Sequence, residues 1–535
     1  MENIQPPQST WAALRVPLFR TIWIAALVSN VGTWMHNLAA AWLMTSLAPS
    51  PIWVSLVQTA TSLPVFLLAL PAGALADVVN RRQILIVSQI GMLVLAAAIG
   101  VLTLTGGVTP VTLLLLTFLL GIGAALMAPA WQAAIPDMVP AALTGSAILL
   151  NGVAYNAAIA IGPAIGGAVV GAFGPSVAFF TNGASFLATL LVLLRWKSVP
   201  RTSDSPSERI VSATRAGARY VWNAPQMHAI LGRGAAFVLC ASAIFALLPL
   251  LSRGPLHLGA AGYGLLLGCM GVGAVAGAGV LPRLQQALGI DRVVTFGCLA
   301  FSAAAAVLAF ATRSFVAAPA MVLAGLGWIC LMSSLMVATT TQVPTWVRGR
   351  AVATFLLVFQ GGMAAGAGLW GAVAERGGIR LALLAAAAGL LLAATLGFFP
   401  RLHLHRGTQL DLSPSMHWPP PAVQGDLHPD EGPVVVLTEY RIDPANTAAF
   451  LEAARALKQL RHREGAFRWR INRDIADPTR YLESFTVESW GEHLRQHGRL
   501  NMADQQIELA LRQFHVGPGK PESRHLLSIH VSRKG

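Results

Sequence analysis

Between Gln83 and Thr105 the chain reads QILIVSQIGMLVLAAAIGVLTLT, directly after Asn80-Arg81-Arg82. These 23 residues carry no charge, and as a helix rising about 1.5 Å per residue they reach across a hydrocarbon core about 30 Å thick. The run is apolar on every side, so it has no face for water. Eleven similar runs accompany it, near 20–45, 52–76, 109–131, 147–172, 176–195, 228–251, 259–281, 292–311, 315–340, 351–375 and 379–400. Twelve such runs predict an all-α polytopic membrane protein.

Composition divides the chain into two regimes. Overall, 55% of the 535 residues are hydrophobic and 11% charged, against about a quarter charged in soluble domains. Only eleven acidic residues precede Gly432. Those nearest the apolar runs (Asp77, Asp137, Asp291 and Glu375) fall at the ends of the runs. From Gly432 onward there are twelve acidic and sixteen basic residues, which is soluble composition. The net charge of +14 is spread singly and in pairs between apolar runs. That is how a membrane protein anchors itself, and it excludes a nucleic-acid-binding stripe. Cys240, Cys269, Cys298 and Cys330 fall one per span and form neither a disulfide nor a metal pattern. Residues 1–18 hold Pro6, Pro7, Arg15 and Pro17 but no apolar core, so no cleavable signal is expected.

Arginine and lysine set the orientation. With twelve spans, sixteen basic residues in the connections fall on the side shared by both termini and four (Arg253, Arg313, Arg376 and Arg380) on the other. Both termini are therefore expected in the cytoplasm. The domains read as a first six-helix bundle over 1–195, a cytoplasmic linker over 196–227, a second bundle over 228–400, a Pro-rich linker over 401–431 and a soluble domain over 432–535. The halves echo each other: Gly73-Ala-Leu75 and Gly279-Val-Leu281 lie 206 residues apart, and Ile135-Pro136 and Val343-Pro344 lie 208 apart. Paired halves place a substrate site at their interface near the bilayer midplane.

Several motifs carry a resemblance. Gly73-Ala-Leu75-Ala76-Asp77-Val-Val-Asn80-Arg81-Arg82, at the cytoplasmic end of the second span, resembles the loop signature of the major facilitator superfamily, with Asn80 in place of a glycine. In its chemistry, Gly73 is expected to admit a close helix neighbour. Arg81 and Arg82 are expected to neutralise Asp77, a carboxylate costly to leave unpaired at the membrane boundary. Gly162-Pro163-Ala-Ile-Gly166-Gly167 resembles a pattern of that superfamily's exporters, a kinked and closely packed contact between bundles. Pro129-Ala-Trp131-Gln132, Asn151, Asn156 and Phe180-Thr-Asn182, with Trp34-Met35, Arg348-Gly349-Arg350 and Glu492-His493-Leu494-Arg495, are similar to the transmembrane secretion effector branch, which includes enterobactin-exporter-like proteins. Thr117 and Ile159 stand where relatives carry arginines.

For the substrate pathway these residues suggest Asn30, Trp34, His36, Asn37, Gln58, Trp131, Asn151, Asn156 and Gln360. Neutral polar and aromatic groups, with Trp42, Trp328 and Trp370 nearby, suit a bulky, partly apolar solute. His36, the only ionisable residue near the middle of the first six spans, is a functional candidate on that ground; a neutral histidine packed between helices is the alternative. The conformational gate is expected at Gly73, Asp77, Arg81, Arg82, Gly162, Pro163, Gly166, Gly167, Arg348 and Arg350.

After the prolines of the second linker, strands over 434–442, 466–474, 480–488 and 526–531 and helices over 444–463 and 490–514 follow in ferredoxin-like order. The domain resembles the dimeric α/β barrels that include cofactor-free antibiotic-biosynthesis monooxygenases. That likeness implies an open sheet face covered by a second copy. Trp469, Asn472 and Arg473 could line a pocket. His493 and His497 have metal-ligand spacing but no third ligand, and no nucleophile–base arrangement stands out.

The whole predicts a secondary active transporter of the bacterial inner membrane, not an enzyme, exporting a siderophore-like, antibiotic-like or drug-like solute by alternating access. No metal or cofactor is expected. The expected partners are the bilayer, the solute, a coupling proton and a second copy of the tail. An importer of a similar solute and a membrane-tethered enzyme with a monooxygenase-like tail are the alternative readings.

Overall fold

The computed structural model describes residues 11–196, 210–399, 404, 411, 413, 415, 417–418 and 427–529, with the side chains of residues 74, 77, 78 and 210–216 outside that description. The chain forms two compact units, one of residues 1–204, 231–335 and 355–400, the other of 205–230, 336–354 and 401–535.

The helices of the membrane part are α1 (Pro17–Leu47), α2 (Pro51–Val78), α3 (Arg81–Leu104), α4 (Pro110–Ala134), α5 (Thr144–Phe173) and α6 (Pro175–Arg195), then α8 (Pro225–Arg253), α9 (Ala260–Leu288), α10 (Ile290–Phe310), α11 (Ser314–Thr341) and α12 (Arg348–Thr395). A shorter α7 (Ile210–Asn223) lies in the connection between the halves. Ten of the described helices are long and apolar enough to cross a membrane. Two physical details restore the expected twelve spans. Helix α1 is 31 residues long, but Asn30, His36 and Asn37 dilute its hydropathy. Helix α12 is two spans joined at Gly378, whose φ of 82° and ψ of 161° are not helical.

Proline starts many of these helices (Pro17, Pro51, Pro110 and Pro175), where its missing N–H costs nothing and its fixed φ is already helical. Three turns between successive spans consist of a single glycine: Gly174 between α5 and α6, Gly289 between α9 and α10, and Gly378 inside α12, at φ of 86°, 79° and 82°. A side chain would be strained there. Gly174 and Gly378 lie 204 residues apart, close to the offsets of the sequence echoes. Asn80 occupies the related turn between α2 and α3 and instead caps α3 by accepting from the Arg82 N–H.

Small residues set the helix spacing, as expected where lipid supplies no hydrophobic drive between helices. A Cβ on Gly32 would meet Asn182 and Ser185 of α6, and one on Gly121 would meet Pro64 of α2. In the second bundle Gly297 and Gly327 pack backbone to backbone. At the cytoplasmic ends of the first bundle, Phe19, Ile22, Ile84, Leu85, Ile135, Leu150, Leu193 and Trp196 form one apolar cluster. Trp328 sits among Phe237, Phe245, Phe301 and Phe359 at ring-centre distances of 5.1–6.2 Å, so this tryptophan packs the second bundle.

The tail is a four-stranded antiparallel sheet in the order β2-β3-β1-β4, with β1 Val434–Arg441, β2 Arg468–Arg473, β3 Arg480–Val487 and β4 Glu522–Leu527. Helices α13 (Thr447–Arg463), α14 (Trp490–Arg499) and α15 (Met502–Arg512) accompany it. This is the ferredoxin-like arrangement. Two expectations shift. The helical stretch over 490–514 breaks at Leu500-Asn501, because Asn501 and Asp504 form a reciprocal capping box that starts a new helix. The last strand ends at Leu527. Tyr481, Phe485 and Val487 are buried, while Leu482, Ser484 and Thr486 on the other face are half-buried. Residues 401–431 lie largely outside the described residues.

Candidate functional site

Along α1, Asn30, Trp34 and Asn37 are spaced by four and three residues and share a face; each is half-buried. Trp23, one heptad before Asn30, donates its indole N–H to the Leu150 carbonyl of α5 at 2.8 Å. A Cβ on Gly162 of α5 would lie 2.6 Å from that of Trp34. Trp131 of α4 donates to Oδ1 of Asn151 on α5 at 2.9 Å, so two sequence-predicted residues meet directly. Gln58 donates to Ser62 on its own helix at 3.0 Å. Asn156 is exposed and returns its amide to the Gly152 carbonyl. Gln360 is half-buried and precedes Gly361 and Gly362, which line an apolar cavity of about 370 Å³ with Thr59, Leu63, Phe66, Leu357 and Val358.

His36 stands apart from that stripe. It is 3% exposed, its ring centre is 4.7 Å from that of Phe179 on α6, and neither ring nitrogen has a partner among the described residues. Position 36 follows Gly32 by one turn and so shares the face turned to α6.

The residues expected to form the gate fall at several separate places. Among the described residues a Cβ on Gly73 would meet nothing within 4 Å. Arg81 bonds the Asp137 carboxylate and the Ala133 carbonyl, both at 3.0 Å. Arg82 donates to the Leu193 and Leu194 carbonyls at 3.1 and 2.8 Å, where cations complement the C-terminus of α6. Both arginines bond helix ends; the expected neutralisation of Asp77 falls on a side chain outside the described residues. Pro163 is buried inside α5. Gly162 and Gly166 pack on Trp34 and Met35 of α1, whereas a Cβ on Gly167 would lie 2.7 Å from the Cα of Gly264 on α9. Arg348 is exposed and Arg350 half-buried.

The contacts between bundles gather at the end that the arginine distribution assigns to the outside. Trp42 stacks on Tyr263 at 6.1 Å, Thr59 donates to the Ala364 carbonyl at 2.9 Å, and Glu375 accepts from Ser50 at 2.6 Å. The described bundles are closed on that side.

Sequence reading missed one buried charge. Arg233 of α8 is 2% exposed and pairs with Asp291 at the start of α10 at 2.5 Å. An arginine just inside a span, left out of the charge count, hides its partner until the helices pack.

In the tail, Trp469 and Arg473 alternate with Asn472, which lies on the opposite sheet face. Glu483 is fully buried and accepts from Arg461 at 2.9 Å, Trp469 at 3.1 Å and Tyr440 at 3.2 Å. Burial pushes the Glu508 carboxyl up, but Arg461 and the hydrogen bonds from His417 and Trp418 outweigh it and hold it at about 2. Burial raises Glu464 to about 7 against the pull of Arg463 and lowers His493 to about 4. His493 and His497 bring their Nε2 atoms to 3.3 Å. Among the described residues no three His, Cys, Asp or Glu side chains are grouped to hold a metal.

Comparison with known proteins agrees with this architecture. The profile of the transmembrane secretion effector family matches residues 8–534. The multidrug efflux pump Tap of Mycolicibacterium fortuitum is 28% identical over 218 residues, 39% of this chain and 53% of Tap, so the chain spans about half the length of that relative. The enterobactin exporter EntS of Salmonella choleraesuis is 27% identical over 344 residues, 62% of this chain and 80% of EntS. A bacterial homologue of the human lysosomal transporter Spinster, solved inward-facing and unoccupied, superposes with a TM-score of 0.56 at 14% identity, covering 72% of this chain and 96% of that one; at that identity it speaks for the fold. With a family match over nearly its whole length, on twelve spans in two bundles, the chain belongs to the transmembrane secretion effector family of major facilitator superfamily transporters.

Proposed function

We propose that this inner-membrane transporter exports a small organic, partly apolar solute from the cytoplasm by alternating access. The observation that carries the reading is the half-buried stripe Asn30, Trp34 and Asn37 on α1, in a protein whose bundles meet at the outer end. Neutral amides and indoles bind by hydrogen bonds and stacking, without the charge an ion pathway would need. The names of the two relatives, an efflux pump and a siderophore exporter, support the outward direction. We propose coupling to protons, and a tail that is accessory and non-catalytic and pairs with a second copy. Val435, Leu437 and Leu482 alternate with the buried positions of their strands, and exposed Leu526 pairs with Val435 on the same face, which supports that pairing.

Everted vesicles given a panel of dyes and siderophores, with pH and sodium gradients imposed separately, test this. Accumulation driven by an inward-acid gradient and lost in Asn30→Ala/Asn37→Ala is the expected result. Solute accumulation only in right-side-out vesicles would establish import instead. Oxygen uptake by the purified protein with an aromatic substrate would overturn the non-catalytic tail.

A further inference from the structure

Ala48, Pro49 and Ser50 join α1 to α2 at the outer end. The last turn of α1 has no basic residue and the first turn of α2 no acidic one. Each helix end therefore presents partial charge that its own sequence does not complement. The second bundle supplies both complements. Arg253, the last residue of α8, donates to the Thr45 hydroxyl at 2.9 Å and also bonds Ser46, with its guanidinium 5.7 Å from the ring centre of Trp42. Glu375, three residues before the Gly378 turn, accepts from the Ser50 hydroxyl at 2.6 Å and the Ile52 N–H at 3.4 Å. A cation sits on a helix C-terminus and an anion on the next helix N-terminus, either side of one three-residue turn.

We propose that Arg253 and Glu375 are gating residues, a two-point clamp by which the second bundle grips the α1–α2 turn and holds the outer side shut. Glu375 is the one acidic residue among the outer ends and connections of the spans. Of the other charges there, Arg380 lies over Phe310 at 3.9 Å and Arg313 over Phe315 at 5.9 Å, and Arg376 is exposed. Below the clamp the interface is close-packed, with Ser55 against Gly371 and Thr59 bonded to Ala364, so opening must begin at the rim. Each contact contributes roughly two- to fivefold to the closed-to-open ratio, the range for a charge at a helix end. The proposal rests on alternating access between the bundles and not on the direction of transport.

The test uses full-length protein with Cys240, Cys269, Cys298 and Cys330 replaced by alanine and Thr59→Cys as reporter, in right-side-out vesicles without solute. A membrane-impermeant maleimide added outside should label Glu375→Gln and Arg253→Gln a few-fold faster than the parent, and the double variant roughly tenfold faster. Glu375→Asp and Arg253→Lys should return part of the protection. Spin labels at Ala141 and Gln286, exposed on the cytoplasmic side of the two bundles, should show a new shorter distance in the variants. A mere loosening of the fold would broaden that distribution without shortening it, and would overturn the gating role. So would labelling within twofold of the parent in the double variant, or in Glu375→Ala/Arg253→Ala should the glutamines fail to insert. Because no solute is present, these outcomes leave the export reading to its own experiment.

Discussion

Gly167 of α5 and Gly264 of α9 face each other so closely that a Cβ on either would come within 2.7 Å of the other's Cα. No real side-chain carbon tolerates that distance, so alanine at either position must move a helix. Gly167→Ala is expected to separate the bundles at their outer end and cut transport by tenfold or more, on the scale of overpacking costs of about 1–3 kcal/mol. Gly152→Ala, at a glycine with no atom within 4 Å of its Cβ position, should transport normally. Transport assays on both variants at matched expression check the pair.

Arg233 and Asp291 make a prediction about stability. The arginine is almost fully enclosed, and it also donates to the Asp291 carbonyl at 3.2 Å. Removing the carboxylate leaves a buried charge without its counter-ion, a loss of about 3–5 kcal/mol in comparable cases. Asp291→Asn should lower the melting temperature in detergent, and Arg233→Met/Asp291→Leu should recover most of it. Melting curves of both decide the matter.

His36 is expected to be a packing residue. Its nitrogens lack protein partners among the described residues, and replacing a buried unsatisfied polar group by an apolar one of similar shape is near neutral or stabilising. His36→Leu should keep transport and its pH profile and melt at or above the parent temperature. A lost pH dependence of uptake into everted vesicles would return His36 to the pathway.

The tail should carry opposing pH responses. His493 is lowered to about 4, so the folded form resists protonation. Its stability contribution is full above the unfolded value of 6.5 and is lost as pH falls toward 4. Glu464 is raised to about 7, so its contribution is full below about 4.5 and is lost as pH rises through 7. Proteolysis within the tail of full-length protein should therefore accelerate on either side of a mildly acidic optimum. Glu464→Gln should flatten the alkaline limb alone, and His493→Gln the acidic limb alone.

The spans were legible because a bilayer imposes one length and one polarity on every helix. The runs over 83–105 and 176–195 match α3 and α6 within two residues. Helix α1 was legible in spite of Asn30, His36 and Asn37 because the charge segregation requires it. What side chains touch was not legible. Arg81 and Arg82 were read only against Asp77, and their bonds to Asp137 and to the end of α6 emerge only once the helices pack. In the site, Trp131 and Asn151 were singled out separately, and only the packing of α4 on α5 makes them a pair. The tail broke at Asn501 because a capping box ends one helix and starts another within a stretch that looks continuous.

The single-glycine turns at Gly174, Gly289 and Gly378 bear on how the molecule can move. A connection of one residue has no slack, so the two helices it joins cannot slide or splay independently; each such hairpin is a stiff V that translates as one piece. Among the described residues, length to spare exists in the longer connections, such as Thr105–Thr109 and Gly254–Gly259. The moving parts of this transporter are therefore expected to be paired helices, each single-glycine turn passing the displacement of one member to its mate.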